Sequence, residues 1–285
     1  MSKSENPKKS YKRKRLIIYI LLGICIAATI VSAVGLGIEM YTTRRAQVYY
    51  ADLTSDVPKR PLPPGGLAIT PPPSTAAPTE DEPDAEIEAE EEDPWEPYVN
   101  FDDLNERFQG ITAAWLYMEN SVIDYPVMQA VNNSYFLSRL PDGTNHRNGS
   151  LFMDYRNNPQ FLDKNILIYG HNMRSGDMFG ILNNYRNQEF YEQHPVMFLF
   201  TPEKDYALVL FAGYILDSAV EVPPIRFSDE NAFLSHIANI KRRSVFRSDV
   251  EVAADDRIVS LCTCNYNFVN ARMIVVGKLV DLGPY

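Results

Sequence analysis

The side chains of this 285-residue chain best suited to covalent chemistry are few: Cys25, Cys262 and Cys264, and the histidines His146, His171, His194 and His236. A cysteine acts as a nucleophile or metal ligand through its thiolate, and imidazole is the side chain that moves a proton near neutral pH. No metal site is expected. The histidines lie far apart, His-Glu-x-x-His and paired Cys-x-x-Cys are absent, and Cys262-Thr263-Cys264 has no second pair to complete a ligand set. No glycine-rich loop opens into a helix with a Lys-Ser/Thr pair, so no cofactor is expected either. What remains is a thiol, an imidazole and a guanidinium near strand ends. Cys264 closes the run Ile258-Val259-Ser260-Leu261-Cys262-Thr263-Cys264, ahead of the polar Asn265-Tyr266-Asn267. His171 follows the apolar run 165–170, where Gly170 suits a sharp turn, and Arg272 opens the run after Cys264. Each also has a plain structural reading, as a small buried thiol, a hydrogen-bonded histidine and a surface charge.

The elements that must carry these residues lie in the body of the chain, 98–285. Short runs rich in Val, Ile, Tyr and Phe, separated by turn residues, predict strands over 113–118, 150–153, 165–170, 196–201, 206–218, 257–264 and 272–280. Helices are fewer. Residues 101–108 form a short amphipathic entry helix, and 229–242 places Phe233, Ile237 and Ile240 on one face behind a Ser228 cap. Seven or eight short strands with few helices and no internal repeat predict a mainly β body, a barrel or sandwich around one core.

Ahead of the body the composition changes twice. Residues 16–38 are uncharged and apolar, and as a helix they span ~34 Å, enough to cross a bilayer. Cys25 lies inside this run and reads as a small apolar side chain. Seven bases in 1–15 precede the run, while only Arg44 and Arg45 follow it closely. That bias leaves the N-terminus in the cytoplasm and the rest outside. The competing reading, a cleaved signal peptide, normally has an apolar core of only ~7–15 residues. Residues 51–97 hold eleven of the twenty prolines and thirteen acids against two bases. Missing backbone donors and like-charge repulsion keep such a segment extended and disordered, so 39–97 reads as an extracellular linker. The whole chain carries a net charge of −10, with no basic excess on the body, which excludes a nucleic-acid-binding face.

Several separated segments then fall into one order. Asn165-Ile166-Leu167-Ile168-Tyr169-Gly170-His171-Asn172-Met173, Met178-Phe179-Gly180 and Leu261-Cys262-Thr263-Cys264 with Arg272 beyond resemble the class B sortases of Gram-positive bacteria. Upstream, Ile123-Asp124-Tyr125-Pro126-Val127 and Gly149-Ser150-Leu151-Phe152-Met153-Asp154-Tyr155-Arg156-Asn157 extend the resemblance to about residues 101–279. The resemblance implies a closed sortase-type β-barrel of about eight strands, with the helix 229–242 as the class B insertion. It implies a cysteine transpeptidase in which Cys264 is the nucleophile, His171 the acid/base and Arg272 the oxyanion or substrate clamp. Asn133 and Leu137 are then similar to groove-lining positions, with Cys262 and Thr263 beside them. The implied partners are secreted proteins bearing a C-terminal sorting signal and a peptidoglycan precursor amine such as that of lipid II. The implied location is the cell membrane, single-pass, with the catalytic domain outside.

The chain departs from the family pattern at two places. Cys262 stands where relatives commonly carry Ser, and it shares a strand face with Cys264, so it is an alternative nucleophile or a groove-shaping side chain. Tyr266 stands where some relatives carry Asp, which leaves a third, acidic site residue unassigned. A catalytically silent wall-binding barrel, a pilin-polymerising sortase and an ordinary cysteine protease are the competing functions.

Overall fold

The computed structural model describes residues 7–57, 99–217, 219, 221–264 and 271–284. The chain divides into two compact units, Met1–Ala51 and Asp52–Tyr285. Helix α1 (Pro7–Asp56) contains one stretch, Leu16–Ser55, long and apolar enough to cross a membrane. The helix does not stop at residue 38, where the expected span ends. No proline interrupts it until Pro58, and a proline disfavours the helical conformation at the residue before it. The first part of the expected linker is therefore helical, and the proline-rich, acidic part at 58–98 lies outside the described residues.

In the second unit, α2 (Phe101–Arg107) leads into a closed barrel of eight strands. These are β1 (Ile111–Tyr117), β2 (Asp124–Gln129), β3 (Leu151–Met153), β4 (Asn165–His171), β5 (Val196–Phe200), β6 (Lys204–Asp217), β7 (Ile258–Cys264) and β8 (Ala271–Pro284). Around the barrel the order is β1-β2-β3-β4-β7-β8-β6-β5, which delivers the mainly β closed fold expected. Two neighbouring pairs are parallel, β2 with β3 and β4 with β7. Parallel neighbours need a long crossover, and between β4 and β7 it holds α3 (Gln188–Gln193), β5, β6 and α4 (Glu230–Arg243). Every residue of β4 is buried, as expected of a strand covered on both faces.

Local rules explain where the sequence reading and the structure differ. Strand β2 lies outside the expected strands, and it carries Pro126, a residue that central strands normally avoid. Here Pro126 pairs with Trp115 of β1, and the ladder to β3 begins only at Val127, so its missing N–H costs no bond on that side. Helix α4 is capped by Asp229 and not by Ser228: the Asp229 carboxylate accepts from the Ala232 N–H at 2.8 Å, and Ser228 only donates to Asp229. Phe233, Ile237 and Ile240 form its buried face.

Two glycines set close approaches beside the site. Gly170 makes no turn, because β4 runs straight on through His171; a side chain there would collide with Leu151 and Phe179. Gly149 has φ +55, and a Cβ there would lie 2.6 Å from the main-chain oxygens of Phe136 and Leu137. Gly149→Ala therefore combines left-handed strain with a backbone clash. We expect it to destabilise the folded unit by about 1–3 kcal/mol, a fall in thermal midpoint of roughly 2–4 °C per kcal/mol, measurable by scanning calorimetry.

Candidate active site

Strands β4 and β7 run the same way through the barrel, so their C-terminal ends emerge at one rim. Their register pairs Asn165 with Ile258 and continues residue by residue to His171 with Cys264. A buried polar contact pins that register, with the Ser260 hydroxyl donating to the Asn165 side-chain oxygen at 2.9 Å. Asn165 in turn donates its side-chain N–H to Pro224 O at 2.8 Å. Neighbouring strands lie ~4.8 Å apart, so the imidazole-bearing and thiol-bearing residues are cross-strand neighbours. On the other side β7 pairs antiparallel with β8 as far as Cys262 with Ile274. The Met273 N–H donates to the Thr263 hydroxyl at 2.9 Å, and Arg272 follows at the same end of β8, paired with Leu216 of β6. The three residues singled out from the sequence thus come from consecutive strands of the barrel.

His171 is only 6% exposed, and its Nε2 lies 2.5 Å from the main-chain oxygen of Leu137, which makes Nε2–H the donor. Burial lowers its pKa below the ordinary histidine value, and the nearby Arg147 charge pushes the same way. The Leu137 carbonyl opposes both without reversing them. The imidazole is therefore neutral at pH 7. Arg272 has a buried Nε with no hydrogen-bond partner among the described residues. A buried guanidinium N–H left without an acceptor costs free energy that an arriving anionic oxygen would recover.

Beside these groups lies a groove of about 420 Å³. Asn133 and Leu137 line it from one side, Tyr169 and Cys262 from the strands, and Arg272 and Ile274 from β8. Cys262 is 1% exposed, and its thiol donates weakly to the Ser260 carbonyl at 3.5 Å. Thr263 takes the opposite face, its hydroxyl spent on both main-chain groups of Met273. That alternation argues against the substrate contact expected of it.

Two further residues line the groove, Asp154 and Arg156, which belong to the family segment 149–157. The Asp154 side chain has no exposed surface. It accepts from Arg156 Nε and Nη2, both at 2.8 Å, from the Arg156 main-chain N–H at 3.0 Å and from Asn133 Nδ2 at 3.0 Å. The Tyr169 hydroxyl adds a fourth donor group at 3.2 Å. Burial alone would raise the Asp154 pKa, but the bonds from Arg156 and Asn133 outweigh it and hold the carboxyl below the ordinary aspartate value. The sequence signal for this cluster is only an acid and a base two residues apart; they meet because 154–157 form a turn, with the Asn157 N–H donating to Asp154 O at 3.0 Å and the Arg156 N–H donating to the Asp154 carboxylate at 3.0 Å. The groove thus contains a buried acid, Asp154, whereas Tyr266 stands at the position where some relatives carry Asp. Among the described residues no cluster of metal-ligating side chains occurs.

Comparison with known proteins places this geometry. Residues 116–280 match the family model of the sortase domain. The chain is 36% identical over 168 residues to Sortase B of Listeria monocytogenes, spanning 58% of this chain and 68% of that protein. It is 31% identical over 170 residues to Sortase B of Staphylococcus aureus, spanning 59% and 70%. A Staphylococcus aureus sortase B–substrate complex superposes with a TM-score of 0.62 at 30% identity, over 64% of this chain and 85% of that one. A Bacillus anthracis protein similar to sortase B superposes with a TM-score of 0.58 at 32% identity, over 64% and 82%. A family model covering more than half the chain, two relatives above 30% identity and a shared barrel lead to one assignment: the chain belongs to the sortase family, in its class B branch.

Proposed function

We propose that this sortase-type cysteine transpeptidase is held in the cell membrane by α1, with its catalytic unit outside the cell. In this reading it cleaves a C-terminal sorting signal of secreted proteins and joins them to a cell-wall amine. The observation that carries the proposal is the parallel pairing of His171 with Cys264, with Arg272 on the adjoining strand and a groove alongside. Cys264 as thiolate attacks the carbonyl carbon of a threonine in the bound signal, forming a C–S bond. The carbonyl oxygen becomes an oxyanion, which the Arg272 guanidinium stabilises. His171 as imidazolium gives its proton to the departing nitrogen, the C–N bond breaks, and a thioester remains. An amine of a peptidoglycan precursor then attacks the thioester, His171 takes its proton, the C–S bond breaks and the thiolate is restored. The burial of Cys262 and its bond to Ser260 support Cys264, rather than Cys262, as the nucleophile. The apolar stretch of α1, with bases concentrated ahead of it, supports an anchor with a cytoplasmic N-terminus.

The test uses a peptide selected for cleavage from a randomised library, with mass spectrometry of the enzyme. Cys264→Ala should abolish the thioester adduct and Cys262→Ala should leave it in place; the reverse result would move the nucleophile. With excess amine the product should be the aminolysed peptide. Hydrolysis alone would identify a protease, and no adduct with any library peptide would identify a silent binding module.

The lowered pKa of His171 also fixes a pH dependence. Its imidazole stays neutral until the pH falls below the ordinary value of about 6.5. The reactive thiolate–imidazolium form is most populated between the two titrations, so the acid limb of kcat/KM should lie below pH 6.5. Removing the Arg147 charge as Arg147→Gln should shift that limb upward, and added salt should shrink the difference. An acid limb above pH 6.5 in the wild type would contradict the assignment.

A further inference from the structure

Arg156 is an exposed cation fixed to a buried anion, an arrangement the chemistry at Cys264 does not explain. Its side chain is 49% exposed while that of Asp154 is 0%. A guanidinium presents two parallel N–H edges. The Nε/Nη2 edge is spent on Asp154, and the Nη1/Nη2 edge has no hydrogen-bond partner among the described residues, although the residue lines the groove. The buried carboxylate removes the rotational freedom that an exposed arginine would otherwise lose on binding. It also cancels the charge, so the pair offers oriented donors without a net field. Such a pair suits a neutral amide oxygen, because a second carboxylate would be brought up against Asp154.

Position along the sheet narrows which amide. The Asp154 N–H bonds Leu167 O at 2.9 Å, which sets the cluster four residues back from His171 on β4. That is ~13 Å at ~3.3 Å per strand residue, and a peptide extended along the groove advances at nearly the same rate. We propose that Arg156 binds a main-chain carbonyl of the sorting peptide roughly three or four residues before the scissile bond, and that Asp154 is the positioning residue that aims it. The acyl side is chosen because that segment must stay seated after the leaving group departs and until the amine arrives. The inference rests on the transpeptidase reading above and adds a binding residue to the same site.

The experiment uses the full chain in detergent micelles and the library-selected peptide. Arg156→Met should raise KM roughly tenfold or more with kcat nearly unchanged, the loss expected for a hydrogen bond to a charged group. Arg156→Lys should not restore it, since one ammonium cannot serve Asp154 and the peptide in the same planar geometry. Peptide analogues in which one carbonyl at a time becomes a methylene then locate the partner. At one upstream position the wild type should lose the same factor, and Arg156→Met should lose nothing further. Asp154→Asn should reproduce the KM effect, while alkylation of Cys264 by iodoacetamide keeps the wild-type rate in all variants. A wild-type KM in Arg156→Met, or a loss shared equally by every analogue, would overturn the inference and leave the transpeptidase reading standing. Failure of the wild type to cleave any library peptide would overturn both.

Discussion

The site depends on β4 and β7 running in the same direction at a fixed register. Parallel neighbours end at the same rim, and here that brings His171 and Cys264 side by side although 86 residues lie between β4 and β7. A slip of one residue would turn one partner to the other face of the sheet. The devices that prevent it are polar and buried: Ser260 bonded to Asn165 between the two strands, and Thr263 bonded to both main-chain groups of Met273 across to β8. Such groups are costly when unpaired, so only the register that satisfies them is stable. Gly170 adds a steric condition by admitting Leu151 and Phe179 against the strand just before His171.

The electrostatics follow from the same burial. The imidazole lies deep enough that its charged form is disfavoured, and the Arg272 Nε is enclosed without an acceptor among the described residues. Asp154 shows the opposite balance: it is equally enclosed, yet four donor groups and the Arg156 charge keep it ionised. One groove wall thus holds a carboxylate whose bonds are satisfied, while the rim holds the Arg272 Nε, which has no acceptor among the described residues. Satisfied networks rigidify their surroundings, and unsatisfied donors favour a ligand that carries oxygen.

Much of this was legible in the sequence because the carriers of the site are strongly patterned. The runs around His171, Cys264 and Arg272 are apolar, β-branched and bounded by polar residues; their edges fall within a residue of β4 and β7 and of the start of β8, which runs four residues beyond its expected end at 280. What escaped depended on pairing. Pro126 argues against a strand until its register shows that the lost N–H faces no partner. Gly170 reads as a turn until Leu151 and Phe179 are seen against it. Thr263 reads as a groove residue until alternation turns it to Met273. Asp154 and Arg156 stand out in the sequence only as members of a family segment, and their burial difference and their bonds to Asn133 and Tyr169 exist only once β3, β4 and the 133–137 turn come together.

Leu137 carries two duties that a sequence cannot separate. Its side chain forms part of the groove, and its carbonyl holds the His171 ring, with Gly149 packed directly behind that carbonyl. With the sorting peptide in this groove, as proposed, the turn that meets it also sets how tightly the imidazole keeps its proton. Selectivity and acid strength are then not independent settings: reshaping the turn to admit a different guest retunes the ring by the same motion.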